Sequence, residues 1–305
     1  MDQSLTKITS IPELLRRYDR HLRSVRGLAR NTRSLHRHVF GRLLRFCFPG
    51  GQVTWGDLRF SDCVAFLKKE FARLSSRETQ KVWLMVLRSV LRYLAQESCI
   101  TEGWEAALPK IPTYRLASLP RRLSEKQLED LERACQGNKR RHQRYRALLL
   151  LCLRLGLRGG EIANLRLEDI DWRNGCLRIR STKNHRERVL PLPDDIGQAL
   201  VAHLRAGSPR STRVFEPLQP PFSARRVHRH VMNSLRYVMG LAGIVDRGPH
   251  ALRHTAAAAM VTGGASFKAV ADVLGHKSIS TTLIYAKLDL KALAQVALPW
   301  PGGAR

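Results

Sequence analysis

The segment from Pro249 to Tyr285 is the part of this 305-residue chain around which the rest of the sequence is organised. It contains P-H-A-L-R-H-T at 249–255, L-G-H at 274–276 and T-T-L-I-Y at 281–285. The spacing of its apolar residues predicts helices over 250–262, 266–274 and 278–285. Its histidines, arginine and tyrosine can transfer protons, bind anions or act as nucleophiles. We therefore interpret the segment as most of an active site.

The chain is strongly basic, with 53 lysines and arginines against 25 acidic residues and a net charge of +28. Residues 1–118 carry 21 basic and 10 acidic side chains and the remainder carries 32 and 15, so the excess is not confined to a tail. A spread excess of this size favours a polyanionic partner, above all nucleic acid. A generic basic surface that repels other copies is one alternative. An acidic membrane is another, but no segment is a cleanly amphipathic basic helix ending in aromatic residues.

Cysteine spacing and apolar runs indicate the cellular compartment. The six cysteines are scattered without a C-x-x-C pair, a pattern typical of free thiols in a reducing compartment and not of a disulfide framework or zinc site. The first ten residues lack an apolar signal core, and the longest apolar run, Ala147–Leu153, is too short to cross a bilayer. We expect a cytoplasmic protein that is not bound to a membrane.

Residues 1–108 are predicted to form a small helical domain with a basic surface. Apolar residues at helical spacing predict four helices between residues 10 and 105. Capping residues predict where these helices begin: Ser10 for the first, Asn31-Thr32 for the second, Asp57 or Ser61 for the third, and Ser75 or Ser76 for the fourth. Arginines outside the apolar faces could contact a DNA backbone, because phosphate contacts position a protein without reading sequence.

Residues 109–122 are predicted to be a linker, because this basic stretch contains three prolines that favour an extended backbone. The second domain, residues 123–305, is predicted to be mostly helical. Three strand signals separated by turn residues, at 167–172, 176–180 and 188–192, predict one three-stranded antiparallel sheet. A last helix is expected around 288–296. The predicted fold class is mainly α with a small antiparallel β-sheet.

The residues of the second domain fit the needs of DNA cleavage without a metal. Such a reaction requires cations that hold the phosphate, a hydroxyl that attacks it, and groups that accept and donate protons. The chain offers Arg158, Lys183, His250, Arg253, His276 and Tyr285 for these roles. His250 and His254 have a spacing that metal ligands can use, but no third ligand has suitable spacing. We interpret His254 as a packed residue behind the site.

Taken together, these motifs resemble the tyrosine recombinases of the phage integrase family. The resemblance is carried by G-L-R-x-x-E at 156–161, a lysine in a hairpin turn at 183, H-x-L-R at 250–253, L-G-H at 274–276, and a tyrosine nine residues after that histidine. It covers nearly the whole chain, since the helical amino-terminal domain is similar to the core-binding domain of the family. Gly159 and Gly160 stand where bulkier residues are often found in the family.

The resemblance implies a site-specific recombinase or integrase that forms a 3′-phosphotyrosyl link to DNA through Tyr285. Arg158 and Arg253 would hold the phosphate, Lys183 would be the general acid for the leaving oxygen, His250 the candidate proton acceptor, His276 a further phosphate donor, and Glu161 a supporting residue that orients the site. Neither ATP nor a metal nor any other cofactor would be required. The polar residues Ser280, Thr281 and Thr282 indicate that the tyrosine lies in a DNA-accessible segment.

The implied partner is double-stranded DNA, bound by a homo-tetramer. Leu288, Leu290, Leu293 and Val296 form an apolar stripe after the tyrosine, and relatives dock such a segment onto a neighbouring protomer. Docking of this stripe on its own domain is the alternative. Two other functions stay open: a type IB topoisomerase with the same chemistry, and a DNA-binding regulator that keeps the fold without catalysis.

Overall fold

The fold is given by a computed structural model, and the chain divides into two compact units, residues 1–113 and 114–305. The residues that the structure describes are 9–112, 122–180, 187–207, 211–217, 219–220, 223–246, 248–276, 278 and 281–288. Most of the predicted linker at 109–122 lies outside these ranges.

The first unit is a helical bundle with one minimal strand pair. In chain order its elements are β1 (Thr9–Ser10), α1 (Ile11–Ser24), α2 (Arg30–Cys47), β2 (Gln52–Val53), α3 (Phe60–Arg73), α4 (Arg77–Gln96) and the short α5 (Trp104–Ala107). Strands β1 and β2 pair antiparallel. The four long helices occur where apolar spacing predicts them, because each must bury one apolar face against the others.

Capping residues predicted some helix starts in this unit and missed others. Ser76 caps α4, since its side chain accepts the backbone N–H of Thr79. Ser10 precedes α1 as predicted, but its side chain makes no capping hydrogen bond. Asn31 and Thr32 lie inside α2, because the helix already begins one residue before Asn31. The predicted start of that helix was therefore wrong.

The core of the first unit combines aromatic rings with one buried polar group of three residues. Phe40 packs edge-on against Tyr18, with ring centroids 5.2 Å apart. The Tyr18 hydroxyl contacts Nδ1 of His36 at 2.9 Å and donates to Oγ of Ser89 at 3.3 Å. All three polar residues are buried. Their mutual hydrogen bonds offset the cost of removing them from water and fix α1, α2 and α4 against one another.

The second unit is mostly helical with one small sheet. Its elements are α6 (Glu125–Ala134), α7 (Arg140–Leu153), α8 (Gly159–Asn164), β3 (Ile170–Asp171), β4 (Cys176–Ile179), β5 (Arg188–Pro191), α9 (Asp194–Arg205), α10 (Ala224–Leu241), α11 (His250–Thr262) and α12 (Phe267–Leu274). The sheet is antiparallel with strand order β3-β4-β5, as predicted. Two segments, 167–169 and 283–288, form 3-10 helices.

Helix α7 is the centre of this unit. It packs against α9, α10 and α11, and residues such as Leu148 and Leu151 are fully buried. Its carboxyl end leads into the turn before α8, and α11 in turn packs against α12 and the 283–288 segment. These contacts bring together sequence motifs that are far apart along the chain.

The predicted helix at 278–285 is replaced by the 3-10 helix Leu283–Leu288, and the helix expected around 288–296 lies outside the described residues. Within the described ranges, no helix is both long and apolar enough to span a bilayer. All six cysteines are free thiols.

Candidate active site

Helix α11 carries three residues of the site. His250 and His254 lie one turn apart on the same face, with ring centroids 6.2 Å apart. His250 is exposed, His254 is half-buried, and Arg253 points inward and is buried. The H-x-L-R-H spacing therefore places the two histidines on one face of the helix and the guanidinium group of Arg253 on the buried side.

Arg253 joins three segments through backbone carbonyls. Its Nη1 donates to the carbonyl of Gly156, and its Nη2 donates to the carbonyl of Leu274 at 2.6 Å. A buried guanidinium is costly unless its N–H groups find acceptors, and these carbonyls supply them. Arg253 thereby connects α11 with the turn before Arg158 and with the end of α12.

The turn from Gly156 to Glu161 positions Arg158. Gly156 has a φ of +61°, which glycine adopts without strain, and a Cβ at this position would lie 2.4 Å from a methyl carbon of Leu274. Glu161 accepts the backbone N–H of Arg158 at 2.9 Å and its Nη1 at 3.0 Å. One carboxylate therefore fixes both the backbone and the side chain of Arg158 at the start of α8.

The L-G-H motif ends α12 in a Schellman turn. Gly275 adopts a left-handed φ of +63°, its N–H donates to the carbonyl of Asp272 at 3.0 Å, and the N–H of His276 donates to that of Ala271 at 2.9 Å. The carbonyls of residues 273–275 remain for other partners. They form the negative end of the helix, which favours cations.

Three arginines bind these last carbonyls of α12. Arg188 Nε donates to Val273 at 2.8 Å and Arg253 Nη2 to Leu274. Arg158 donates through Nη1 to Leu274 and through Nη2 to Gly275, both at 3.3 Å. The helix end therefore serves as the common anchor for the two arginines that the sequence predicted and for a third that it did not.

Arg188, on strand β5, is the site residue that sequence reasoning missed. Its Nη1 and Nη2 donate to the two carboxylate oxygens of Glu161 at 3.1 and 3.0 Å. Burial alone would raise the pKa of Glu161, but the hydrogen bonds and charges of Arg188 and Arg158 outweigh burial and lower it. The carboxylate is therefore ionised and compensates both cations. The only signal in the sequence was an arginine in the strand that follows the lysine hairpin.

Tyr285 is buried in this structure, with only 2% of its surface exposed. It packs with Ala257, Val261 and Leu274 in a small apolar cluster. Of the polar residues behind the expectation of a DNA-accessible segment, Thr281 is exposed but Thr282 is fully buried, so the expectation is wrong for Thr282 and for the tyrosine itself. In this conformation the phenol oxygen is therefore closed to a phosphate, and the packing around it must open before cleavage.

The phenol oxygen contacts His254, a residue we expected only to pack behind the site. The distance between Tyr285 Oη and His254 Nδ1 is 2.6 Å. His276 makes a similar contact to the same part of the chain, because its Nδ1 lies 2.7 Å from Oγ1 of Thr282. Two histidines thus bind the segment that carries the tyrosine, one from α11 and one from the residue after the Schellman turn.

The site histidines are kept neutral by their surroundings. Desolvation, followed by the charges of Arg253 and Arg158, lowers the pKa of His276 to about 4. The same causes lower the pKa of His250. Desolvation, His250 and Arg253 lower the pKa of His254. At neutral pH these imidazoles can accept protons, whereas protonated imidazoles could not.

The pKa of Tyr285 is raised, whereas the pKa of the buried Arg253 is lowered. Burial raises the pKa of Tyr285 to about 12, and the charge of Arg253 only partly offsets this effect. Burial and then the like charge of Arg158 lower the pKa of Arg253 to about 10, which still leaves it protonated at pH 7. The phenol therefore needs a proton acceptor before it can attack.

The structure thus brings together Arg158, Glu161, Arg253, His276 and Tyr285, and it places His250 on the exposed side of the same helix as Arg253. Lys183 lies outside the described residues. Strands β4 and β5 on either side of it pair in register, with Ile179 opposite Arg188.

Comparison with known proteins identifies the family. Residues 121–291 match the phage integrase family, and residues 15–98 match the phage integrase N-terminal SAM-like domain. The chain belongs to the phage integrase family. The resemblance drawn from the sequence motifs is thus confirmed.

Relatives of this integrase-family member cover both units. A protein named integrase/recombinase y4rA, from Sinorhizobium fredii, is 36% identical over 301 residues, which span 97% of this chain and 73% of the relative. Tyrosine recombinase XerC from Thermodesulfovibrio yellowstonii is 30% identical over 244 residues, spanning 76% of this chain and 78% of the relative. The chain is accordingly a tyrosine recombinase by family.

A solved structure supports the fold. A lambda integrase dimer bound to a COC′ core site matches with a TM-score of 0.68 at 18% identity, covering 92% of this chain and 77% of that one. The predicted fold class, mainly α with a small antiparallel sheet, is confirmed.

Proposed function

We propose that this integrase-family member is a site-specific recombinase that cuts and rejoins double-stranded DNA through a covalent 3′-phosphotyrosyl intermediate on Tyr285. The observation that carries the proposal is the convergence of Arg158 and Arg253 on the carbonyl of Leu274, at the helix end from which the chain continues to His276 and Tyr285. Two cations held beside a hydroxyl nucleophile are what phosphoryl transfer without a metal needs.

In the proposed reaction, the Tyr285 oxygen forms a bond to the scissile phosphorus and the bond to the 5′ oxygen breaks. Arg158 and Arg253 bind the non-bridging oxygens and stabilise the charge that develops on them. Their guanidinium planes are held by backbone carbonyls and, for Arg158, by Glu161, so little reorganisation is required when the phosphate arrives. Glu161 is the supporting residue that orients the clamp.

The remaining roles follow the family pattern. Lys183 would protonate the leaving 5′ oxygen, His276 would add a hydrogen bond to the phosphate, and His250 is the candidate acceptor of the phenolic proton. Because the ester to the enzyme conserves the energy of the phosphodiester bond, we propose that the reaction uses neither ATP nor a metal ion.

We further propose that both units bind the same DNA. Residues 1–108 would be the core-binding domain, 109–122 the linker and 123–305 the catalytic domain. The spread of basic charge over both parts of the sequence supports this assignment. Since the lambda integrase comparison structure is a DNA-bound dimer, a multimer on DNA is the expected assembly. A tetramer that exchanges its carboxyl-terminal segments between protomers is the specific form we propose.

The proposed function can be tested without knowing the natural target. Duplexes that bind the Tyr285→Phe protein are selected from a random pool, and a selected duplex is then nicked close to the cleavage position. Loss of the short fragment traps the covalent complex, so the wild-type protein should give a denaturation-resistant adduct with and without EDTA and in the absence of ATP. Tyr285→Phe should give none.

The same assay separates the alternatives. A wild-type protein that binds but forms no adduct would indicate a DNA-binding regulator. An adduct accompanied by relaxation of supercoiled plasmid, but by no joined product from two sites, would indicate a type IB topoisomerase. Adduct formation with exchange of strands between two sites is the result we expect.

A further inference from the structure

We infer that His254, and not His250, takes the phenolic proton of Tyr285 during DNA cleavage. The inference rests on the proposed function and refines it. Nδ1 of His254 lies 2.6 Å from the phenol oxygen, which is within the range that proton transfer between positioned groups requires. Because it touches the attacking atom, His254 would be a catalytic residue that the family pattern in this sequence does not include.

The position of His254 on α11 explains why it reaches the tyrosine. His250 and His254 share one face, but His250 sits at the first turn and is exposed, whereas His254 is one turn deeper and half-buried beside the 283–288 segment. Helix α11 packs directly on that segment. Among the described residues, the third site histidine is occupied elsewhere, since Nδ1 of His276 contacts Thr282.

The electrostatic surroundings leave the acceptor nitrogen of His254 unprotonated before cleavage. The groups around His254 are His250 and Arg253 on the same helix, Tyr285 on the facing 283–288 segment, and His276 just after α12. Desolvation and the nearby charges lower the pKa of His254, so its imidazole is neutral and has a free lone pair at neutral pH. The tautomer with hydrogen on Nε2 then accepts the phenol hydrogen bond through Nδ1.

The proton balance of the step is simple. The step requires the phenol to keep its hydrogen bond to Nδ1 while the packing around it opens to the phosphate. The phenol O–H bond then breaks, an N–H bond forms at Nδ1 and the imidazole becomes imidazolium. The phenolate oxygen forms the bond to phosphorus while the leaving 5′ oxygen receives a separate proton from the general acid. During rejoining, the 5′ hydroxyl gives its proton back to the general acid as its oxygen attacks the phosphotyrosine, and the imidazolium of His254 returns its proton to the departing phenol.

Two substitutions separate proton transfer from positioning. His254→Asn keeps an acceptor atom near the place of Nδ1 but does not take up a proton at neutral pH. His254→Ala removes the acceptor and leaves a space that free imidazole can enter. His142→Asn is the matched control, because His142 lies in the first turn of α7, at the opposite end from the Gly156–Glu161 turn. Melting temperature and affinity for the selected duplex are measured for each variant.

Single-turnover adduct formation on the nicked duplex, with protein in excess, gives the decisive rates. We expect both His254 variants to bind DNA like the wild type and to form adduct on the order of 10²-fold more slowly. Added imidazole should partly restore the His254→Ala rate and leave His142→Asn unchanged. Wild-type rates for His254→Asn would overturn the proton-transfer role, and faster cleavage by either variant would show that the contact restrains the tyrosine instead. Absence of any wild-type adduct would contradict the proposed function itself.

Discussion

Arg188 binds Glu161 with both terminal guanidinium nitrogens, at 3.1 and 3.0 Å, although the two residues lie on different elements, strand β5 and helix α8. Glu161 also holds Arg158, and Arg188 also holds the end of α12 through Val273. The carboxylate and the helix end therefore form one anchor for a strand and for the phosphate-binding arginine. The geometry of the proposed clamp depends on this anchor as much as on Arg158 itself.

The first prediction concerns Arg188. Arg188→Gln leaves the buried carboxylate of Glu161 with one cation, so we expect a loss of about 2 kcal/mol in the free energy of unfolding, less than for a fully unpaired buried charge. Arg188→Lys should recover only part of this loss. Lysine restores the positive charge, but an ammonium group cannot donate in parallel to both carboxylate oxygens and also to the carbonyl of Val273. Urea denaturation measures both. Arg178→Gln, an exposed position on neighbouring strand β4, is the control and should change stability by less than about 0.5 kcal/mol.

The same substitution should slow DNA cleavage more than it weakens binding. If Arg188 orients the clamp through Glu161, the Arg188→Gln adduct should form at least about tenfold more slowly at saturating protein, a difference of roughly 1.4 kcal/mol in the barrier. Equal rates for Arg188→Gln and wild type would restrict Arg188 to a structural role.

The second prediction concerns Gly156, where two constraints coincide. Gly156→Ala must adopt a positive φ and must also bring a Cβ within 2.4 Å of Leu274. Gly175 provides the matched control, because it has a similar φ of +60° and nothing within 4 Å of an added Cβ. We expect Gly175→Ala to cost about 1 kcal/mol from backbone strain alone. Gly156→Ala should cost at least about 1 kcal/mol more, and equal losses would mean that the close approach to Leu274 is unimportant.

The third prediction concerns Gly159, the residue that replaces a bulkier one common in the family. An added Cβ would lie 2.3 Å from the sulfur of Met232 on α10, so this side chain would have to move to make room for it. We expect Gly159→Ala to destabilise the protein by about 1 kcal/mol. When Met232 is replaced by alanine, Gly159→Ala should become neutral or stabilising. Gly197→Ala is the control and should also be neutral or stabilising, because Gly197 lies inside α9 with nothing within 4 Å of an added Cβ. Thermal denaturation of the four proteins gives the coupling.

The sequence predicted most helices and the sheet because their signals are local. Apolar spacing places α11 and α12 close to the predicted residues, and Ser76 begins α4 with the predicted capping interaction. Arg158 and Arg253 could be recognised because their motifs have fixed local spacing. These elements need no knowledge of the rest of the fold.

The contacts that complete the site could not be predicted in the same way. Arg188 reaches Glu161 only because of strand pairing and the packing of α12 against β5, which no local pattern specifies. The contact of His254 with Tyr285 depends on how α11 packs against a segment that is a 3-10 helix and not the predicted α-helix. Burial of Tyr285 likewise follows from tertiary packing, because the polar residues before it indicated exposure.

The fourth prediction concerns the carboxyl-terminal stripe, most of which lies outside the described residues. We expect removal of residues 287–305 to abolish strand exchange and to leave DNA binding largely intact. Mixing the truncated protein with full-length Tyr285→Phe then distinguishes docking on a neighbour from docking on the same chain. The truncated protein alone should form little adduct. If the segment acts on a neighbour, one protein supplies the tyrosine and the other the segment, so the mixture should form adduct. An inactive mixture would favour docking within one chain.

The fifth prediction concerns pH. His276 has a folded-state pKa of about 4, below its ordinary value, so the unfolded chain binds more protons than the folded protein between pH 6.5 and pH 4. Stability should therefore fall as pH decreases through this window. His276 should contribute on the order of 1 kcal/mol between pH 7.5 and pH 5, after allowance for its partial exposure. The pKa of Glu161 is also lowered, but from the ordinary value of a carboxyl group, so its effect on stability begins only at more acidic pH. Urea denaturation at pH 7.5 and pH 5 should show a smaller pH-dependent loss for His276→Gln than for the wild type. An identical loss in both proteins would show that His276 is not the neutral, desolvated imidazole described here.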